Sequence, residues 1–365
     1  MNKVDIKEYK CPNCSGAVTF DSSIQRLKCP YCDAEFEIAA LDDYQKELAA
    51  PANDNFGWDT GEAGKSWDDA DRADLCTGAC PSCGAELVGD QNTIAMVCPC
   101  CGNAQIVQQR IQGLLKPEYI IPFQLDKKAA VRALEQFYEG KRLLPALFKD
   151  KNHINSIQGL YVPFWLFDAR AHAHVQYKAT RTAVWADRNY NYTKTDFYSV
   201  VRDGSLDFNK IPADGSDRMN DDYMDAIEPF DYAKLGTFQS AFLAGYSAEK
   251  YDVDAEANKE RVNQRIKKTV EAEFAKTVSG YVTVRAEKSV VEIEGGKVSY
   301  ALFPVWILNT KYQKENYQFI MNGQTGRLVG KLPVDSGKAW KYRLMFTGII
   351  GAVFTAIIQL LRLFA

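Results

Sequence analysis

The chain has 365 residues, room for about two domains, and its 46% hydrophobic and 25% charged residues exclude a chain disordered in bulk. Lysine and arginine number 44 against 47 aspartates and glutamates, a net charge of −3, so the basic surplus of a typical phosphate-binding protein is missing. All ten cysteines lie between Cys11 and Cys101, which argues against a secreted fold stapled throughout by disulfides.

The start, Met1-Asn2-Lys3-Val4-Asp5-Ile6-Lys7, has no apolar core and does not read as a signal peptide. Residues 1–40 then carry Cys11-Pro12-Asn13-Cys14 and, after fourteen residues, Cys29-Pro30-Tyr31-Cys32. Residues 76–112 repeat the pattern at an offset of 69, with Cys80-Pro81-Ser82-Cys83, fourteen residues, then Cys98-Pro99-Cys100-Cys101. Two Cys-x-x-Cys knuckles bring four thiolates to one tetrahedral Zn²⁺. The expectation is two small rubredoxin-like zinc ribbons, with Cys11, Cys14, Cys29 and Cys32 on one ion and Cys80, Cys83, Cys98 and Cys101 on the other. Four thiolates leave no position for water or substrate, so both ions are expected to be structural. A ribbon of about 28 residues buries little core, so the metal supplies its folding energy. Cys76 and Cys100 are left over, and Cys100 fills the slot of Tyr31 in the first ribbon.

Between the ribbons, residues 41–75 hold ten acidic side chains against Lys46, Lys65 and Arg72 and read as a solvated acidic linker. Trp58 and Trp67 are unusual there and suggest docking onto a neighbour. Gly61-Glu62-Ala63-Gly64-Lys65-Ser66 imitates a phosphate loop, but Asp59 occupies the required first glycine and no apolar strand precedes it.

Residues 113–335 read as a mostly antiparallel α+β body of two related halves. Strand-like Ile120–Leu125 leads to Asp126, which can N-cap a helix over 127–139. In the second half Lys250–Val253 leads to Asp254 and a helix over 255–278, with Val262, Ile266, Val270, Phe274 and Val278 on one face. Each helix precedes a strand with Pro-x-Trp, at Pro163-Phe164-Trp165 and Pro304-Val305-Trp306, read as buried core. Turns are expected at Glu294-Gly295-Gly296-Lys297 and Asn322-Gly323. His172 and His174 share the polar face of a strand with Gln176 and Lys178, and His153 is the one other histidine. No nucleophile triad, nucleotide fingerprint or paired-carboxylate motif stands out, so the expectation is a non-enzyme with no catalytic residues.

Residues 336–365 read as a juxtamembrane segment and transmembrane anchor. Leu344–Leu361 is uncharged, and residues 344–365 as a helix would span about 33 Å. Lys338, Lys341 and Arg343 precede it, which keeps the N-terminal domains in the cytoplasm by the positive-inside rule. Gly348, Ala352 and Ala356 recur every four residues, a stripe compatible with helix association and a homo-oligomer.

Taken together, the chain resembles a bacterial family of membrane proteins with TFIIB-type zinc ribbons. The resemblance rests on the ribbon pairs, Lys116–Phe123, Gly159–Trp165, Ala244–Val253 and Met321–Arg327. Members are often labelled primosomal or helicase-like zinc proteins. Some relatives are associated with SPFH-domain (flotillin-like) and phage-shock-protein-A-like partners, which implies an envelope-stress complex at the inner membrane. The expected function is a membrane-anchored adaptor or scaffold that docks proteins at the cytoplasmic face. The rival is a ribbon-mediated nucleic-acid or replication accessory, against which stand a net charge of −1 over residues 1–40 and a lone Arg110 over 76–112.

Overall fold

The computed structural model describes all residues except 1–8, 50–52, 68–74, 91–97, 104–106, 111–114, 151–153, 155 and 365. In chain order its elements are β1 (Thr19–Asp21), β2 (Arg26–Lys28), β3 (Glu35–Phe36), α1 (Ile38–Ala49), β4 (Asn55–Asp59), β5 (Cys76–Ala79), β6 (Glu86–Gly89), β7 (Val107–Arg110) and β8 (Tyr119–Ile120). There follow α2 (Lys127–Tyr138), β9 (Gln158–Ala186), β10 (Asn191–Asp214), α3 (Asp221–Ala226), β11 (Gly236–Thr237), β12 (Ser247–Glu249), α4 (Ala255–Lys276), β13 (Thr283–Tyr312), β14 (Glu315–Asn322), β15 (Leu328–Gly330) and α5 (Ser336–Phe364). The protein is mixed α+β and mostly sheet. One small sheet orders β1-β2-β3. A twelve-stranded sheet runs β11-β8-β13-β9-β12-β6-β5-β7, with β10 beside β9, β14 beside β13 and β15, and β4 beside β13.

These elements make two compact units, each assembled from three stretches of chain: Met1–Asp59, Phe167–Ile211 and Lys259–Lys297 in one, Thr60–Leu166, Pro212–Asn258 and Val298–Ala365 in the other. In the first unit, β9 and β10 form a long hairpin. Arg170 meets Asp207, His172 meets Ser205, His174 meets Asp203 and Thr182 meets Thr195, so one face carries the even residues of β9. The odd residues Ala171, Ala173, Val175, Tyr177 and Ala179 are buried on the opposite face, the period-two alternation of a pleated strand. Helix α4 packs there: Tyr177 Oη donates to the Glu271 carbonyl at 2.6 Å, and Val262, Ile266 and Val270 are buried at the expected spacing.

In the second unit both faces of the sheet are covered. Phe164, Leu166, Phe303, Val305 and Ile307 belong to one core, while Trp306, Leu308, Phe319 and Met321 pack with Ala130, Leu134 and Tyr138 of α2 in another. Burial on both faces explains the unbroken apolar run Ala301-Leu302-Phe303-Pro304-Val305-Trp306-Ile307-Leu308.

Helix α2 starts where the sequence places it, since Asp126 accepts from Ala129 N at 2.7 Å. Asp254 likewise accepts from Ala257 N at 2.8 Å. Three expectations are corrected. The strand before Asp126 is limited to Tyr119–Ile120, because Pro122 has no N–H and Gln124 and Leu125 donate instead to the Gly323 carbonyl. Gly295-Gly296 is a bulge inside β13, where pairing with β4 shifts register, rather than a turn; Gly295 takes φ 63°. Residues 41–75, where described, are no solvated connector: they hold most of α1 and all of β4, and Trp58 and Trp67 are buried. Trp58 stands edge-on to Phe167 and donates Nε1 to Asn263 Oδ1 at 2.8 Å. The charge that suggested solvation is partly paired, as in Asp54 with Lys267 at 2.7 Å.

Candidate metal centres

Each of the four knuckles folds by one local rule. The first cysteine's N–H donates to a carbonyl five residues on, and its own carbonyl accepts from the N–H four residues on: Cys11 with Gly16 and Ser15, Cys29 with Ala34 and Asp33, Cys80 with Ala85 and Gly84, Cys98 with Asn103 and Gly102. The residue after the second cysteine must then turn left-handed: Ser15, Asp33, Gly84 and Gly102 have φ of 61°, 57°, 73° and 76°. The turn frees N–H groups to point at sulfur, as Asn13 N does at Cys11 Sγ, 3.4 Å away.

The two predicted tetrads are brought together as the sequence indicates. Within Cys11, Cys14, Cys29 and Cys32 all sulfurs lie within 4.8 Å of one another, and so do those of Cys80, Cys83, Cys98 and Cys101. None is in a disulfide. Cys11–Cys32 and Cys14–Cys29 are 3.6 and 3.5 Å apart, Cys80–Cys101 and Cys83–Cys98 3.6 and 3.8 Å. A tetrahedron with metal–sulfur bonds of about 2.3 Å has edges of about 3.8 Å. The donor sets therefore fit one tetrahedral ion each, with thiolates in every position. Burial raises the Cys29 thiol, but the N–H groups of Tyr31 and Cys32 outweigh it and bring it down to about 7. The Cys100 thiol brings Cys98 down to about 5 against its burial, helped by the N–H groups of Cys101 and Cys100. Both shifts favour the thiolate form a metal binds.

Of the leftover cysteines, Cys76 opens β5, half-buried opposite Gly89 and Arg110. Cys100 packs between the second tetrad and the unit's core, its sulfur 3.8 Å from Glu249 Oε1. Gly64 of the phosphate-loop imitation donates its N–H to Glu118 Oε1 at 3.1 Å, and Lys65 bridges to Lys116. His172 and His174 stand on the polar face of β9. His174 meets Glu47 at 3.0 Å and Asp203 at 3.1 Å, so its ring nitrogens face carboxylates. His153 lies outside the described residues.

Sequence reasoning did not find the residues that hold the second tetrad. Arg218 donates to the Cys83 and Gly84 carbonyls and pairs with Asp252. Asn309 Nδ2 donates to the carbonyls of Pro99 and Cys100 at 2.6 and 2.9 Å. Glu249 is buried, with Oε1 3.8 Å from Arg218 Nη1 and Oε2 without a hydrogen bond. Burial pushes its carboxyl up to about 7, against the pull of Ser216 and Arg218. These partners are distant in sequence and follow no spacing rule. The left-handed position after each knuckle did leave a signal, glycine in one ribbon and Ser or Asp in the other.

Helix α5 is long and apolar enough over Ser336–Gln359 to cross a membrane, with none of its apolar window buried in the protein. Asp335 caps its start by accepting from Lys338 N at 3.0 Å.

No known family profile matches the chain, and no solved structure matches it. Over 354 residues it is 35% identical to YdjG, an uncharacterized protein of Bacillus subtilis strain 168, covering 96% of each chain.

Proposed function

We propose that the chain, which belongs to the YdjG family, is a membrane-anchored zinc-ribbon adaptor without catalytic activity of its own. The observation that carries this reading is the pairing of two closed four-thiol centres with one exposed apolar helix. An all-cysteine tetrahedral site suits Zn²⁺ and leaves it no open position, so the ion would fold a docking surface rather than react. Lys338, Lys341 and Arg343 at the start of α5, with no acidic residue from Ser336 onward, favour a single pass through the inner membrane with the ribbons in the cytoplasm.

The body, on this reading, is a duplication that supports rubredoxin-like ribbons. Gly215 donates to the Pro163 carbonyl and accepts from Asp252 and Val253; Gly323 donates to the Pro304 carbonyl and accepts from Gln124 and Leu125. Trp165 Nε1 donates to the Val253 carbonyl at 2.9 Å, Trp306 Nε1 to the Leu125 carbonyl at 3.1 Å. Trp165 stands against Tyr251 and Trp306 against Phe123, both at 5.1 Å. Strand pairing repeats the relation, with Ser247 opposite Leu160 and Tyr119 opposite Ala301, both parallel. Each half's Pro-x-Trp strand thus grips the residues that lead into the other half's helix.

The partners follow from the resemblance: an SPFH-domain protein in the same membrane and a phage-shock-protein-A-like protein recruited to it under envelope stress. Imaging the phage-shock-like protein in cells with and without this chain tests the reading. Recruitment to the membrane should require both the chain and its α5; recruitment that persists when either is removed contradicts it.

A further inference from the structure

The two tetrads share a turn but not the same supports. Both knuckles of the second are held from outside the ribbon. Arg218 donates Nε to the Cys83 carbonyl at 3.5 Å and Nη2 to the Gly84 carbonyl at 3.2 Å, and Asn309 holds Pro99 and Cys100. Arg218 is itself fixed by Asp252, by Asp217 at 3.5 Å and by buried Glu249 at 3.8 Å. Strands β5, β6 and β7 belong to the large sheet through β12.

Among the described residues the strands of the first ribbon, of three, three and two residues, pair only with one another. Among the described residues one side chain from outside grips a knuckle there, Lys178 Nζ on the Pro12 carbonyl at 2.7 Å, and the Cys29–Cys32 knuckle has none. Its left-handed turn positions are Ser15 and Asp33, whose Cβ atoms crowd the backbone there, while the second ribbon has Gly84 and Gly102. Cys14 and Cys32 are exposed; Cys83 and Cys101 are half-buried.

We propose that the first ribbon is the exchangeable metal site and the second a permanent one, with Arg218 and Asn309 as its positioning residues. Metal supply then sets whether the first ribbon is folded for docking while the rest of the chain stays intact. This rests on the zinc reading above and adds a regulator to it. A site whose ligands are held in place without the metal loses it slowly, whereas a site that folds with its metal loses it each time the ribbon opens.

The test is zinc release from the full chain in detergent, loaded with Zn²⁺ and mixed with excess chelator beside a chromogenic zinc indicator. Two zinc ions per chain should leave in two phases at least ten-fold apart. Cys14→Ser should abolish the fast phase and leave one slowly released ion. Ser15→Gly with Asp33→Gly, which relieves the turns without removing a ligand, should slow the fast phase alone. Arg218→Met should speed the slow phase alone, and Arg218→Lys, which can reach one carbonyl, should fall between. One common rate for both ions, or a fast phase that survives Cys14→Ser, overturns the ordering while leaving the zinc reading intact. A chain that binds no zinc overturns both.

Discussion

At the scale of residues, indole nitrogens and one buried carboxylate carry the consequences. Trp165 and Trp306 each satisfy a main-chain carbonyl just ahead of a helix cap. Substituting either by Phe leaves that half-buried carbonyl without this donor, at a cost of about 1 kcal/mol. The proposed duplication predicts denaturation midpoints lowered by similar amounts in Trp165→Phe and Trp306→Phe. Glu249 acts through pH. Burial pushes its carboxyl up to about 7 from an ordinary 4.5, so the folded chain keeps a proton that the unfolded chain releases between those values. Stability therefore falls as pH rises across that window, by up to about 1 kcal/mol per unit. Glu249→Gln removes this slope. Relative to the parent protein, the variant should gain in melting temperature between pH 5 and pH 7.5; a constant difference would show that the carboxyl ionises normally.

At the scale of elements, what the sequence disclosed was what is local. Asp126 and Asp254 announce α2 and α4 because a cap carboxylate and the N–H that donates to it lie three residues apart, and Asp254→Ala should cost about 1 kcal/mol in thermal unfolding. The four-residue spacing of Val262, Ile266 and Val270 names the buried face of α4 before its partner is known, and Ile266→Ala should cost about 2–5 kcal/mol. The cysteine tetrads were legible for the same reason, since each knuckle closes by hydrogen bonds between residues four and five apart. The clamps were not. Asn309 lies 210 residues from Pro99, and Arg218 lies 135 from Cys83; such pairings exist only once the sheet order is set. The acidic stretch misled because charge density was read as solvation, whereas Asp54 pairs with Lys267 and accepts from Val291 N at 2.9 Å, with Trp58 buried nearby in sequence.

At the scale of the whole molecule, the chain combines two centres that can hold metal but offer it no open position, a mostly-sheet α+β body, and a helix whose apolar window is not buried among the described residues. A membrane is the solvent in which such a helix is stable. Deleting residues 344–365 should move the protein from the membrane fraction to the soluble fraction with its zinc content unchanged, as read by sedimentation and metal analysis. On the proposed function the anchored ribbons serve protein docking. Its most direct test is purification of the tagged full-length chain from its native membrane in mild detergent, with partners identified by mass spectrometry and absorbance read at 260 nm. An SPFH-domain or phage-shock-like partner should co-purify without nucleic acid; bound nucleic acid or replication proteins, lost as salt is raised, would contradict the docking role.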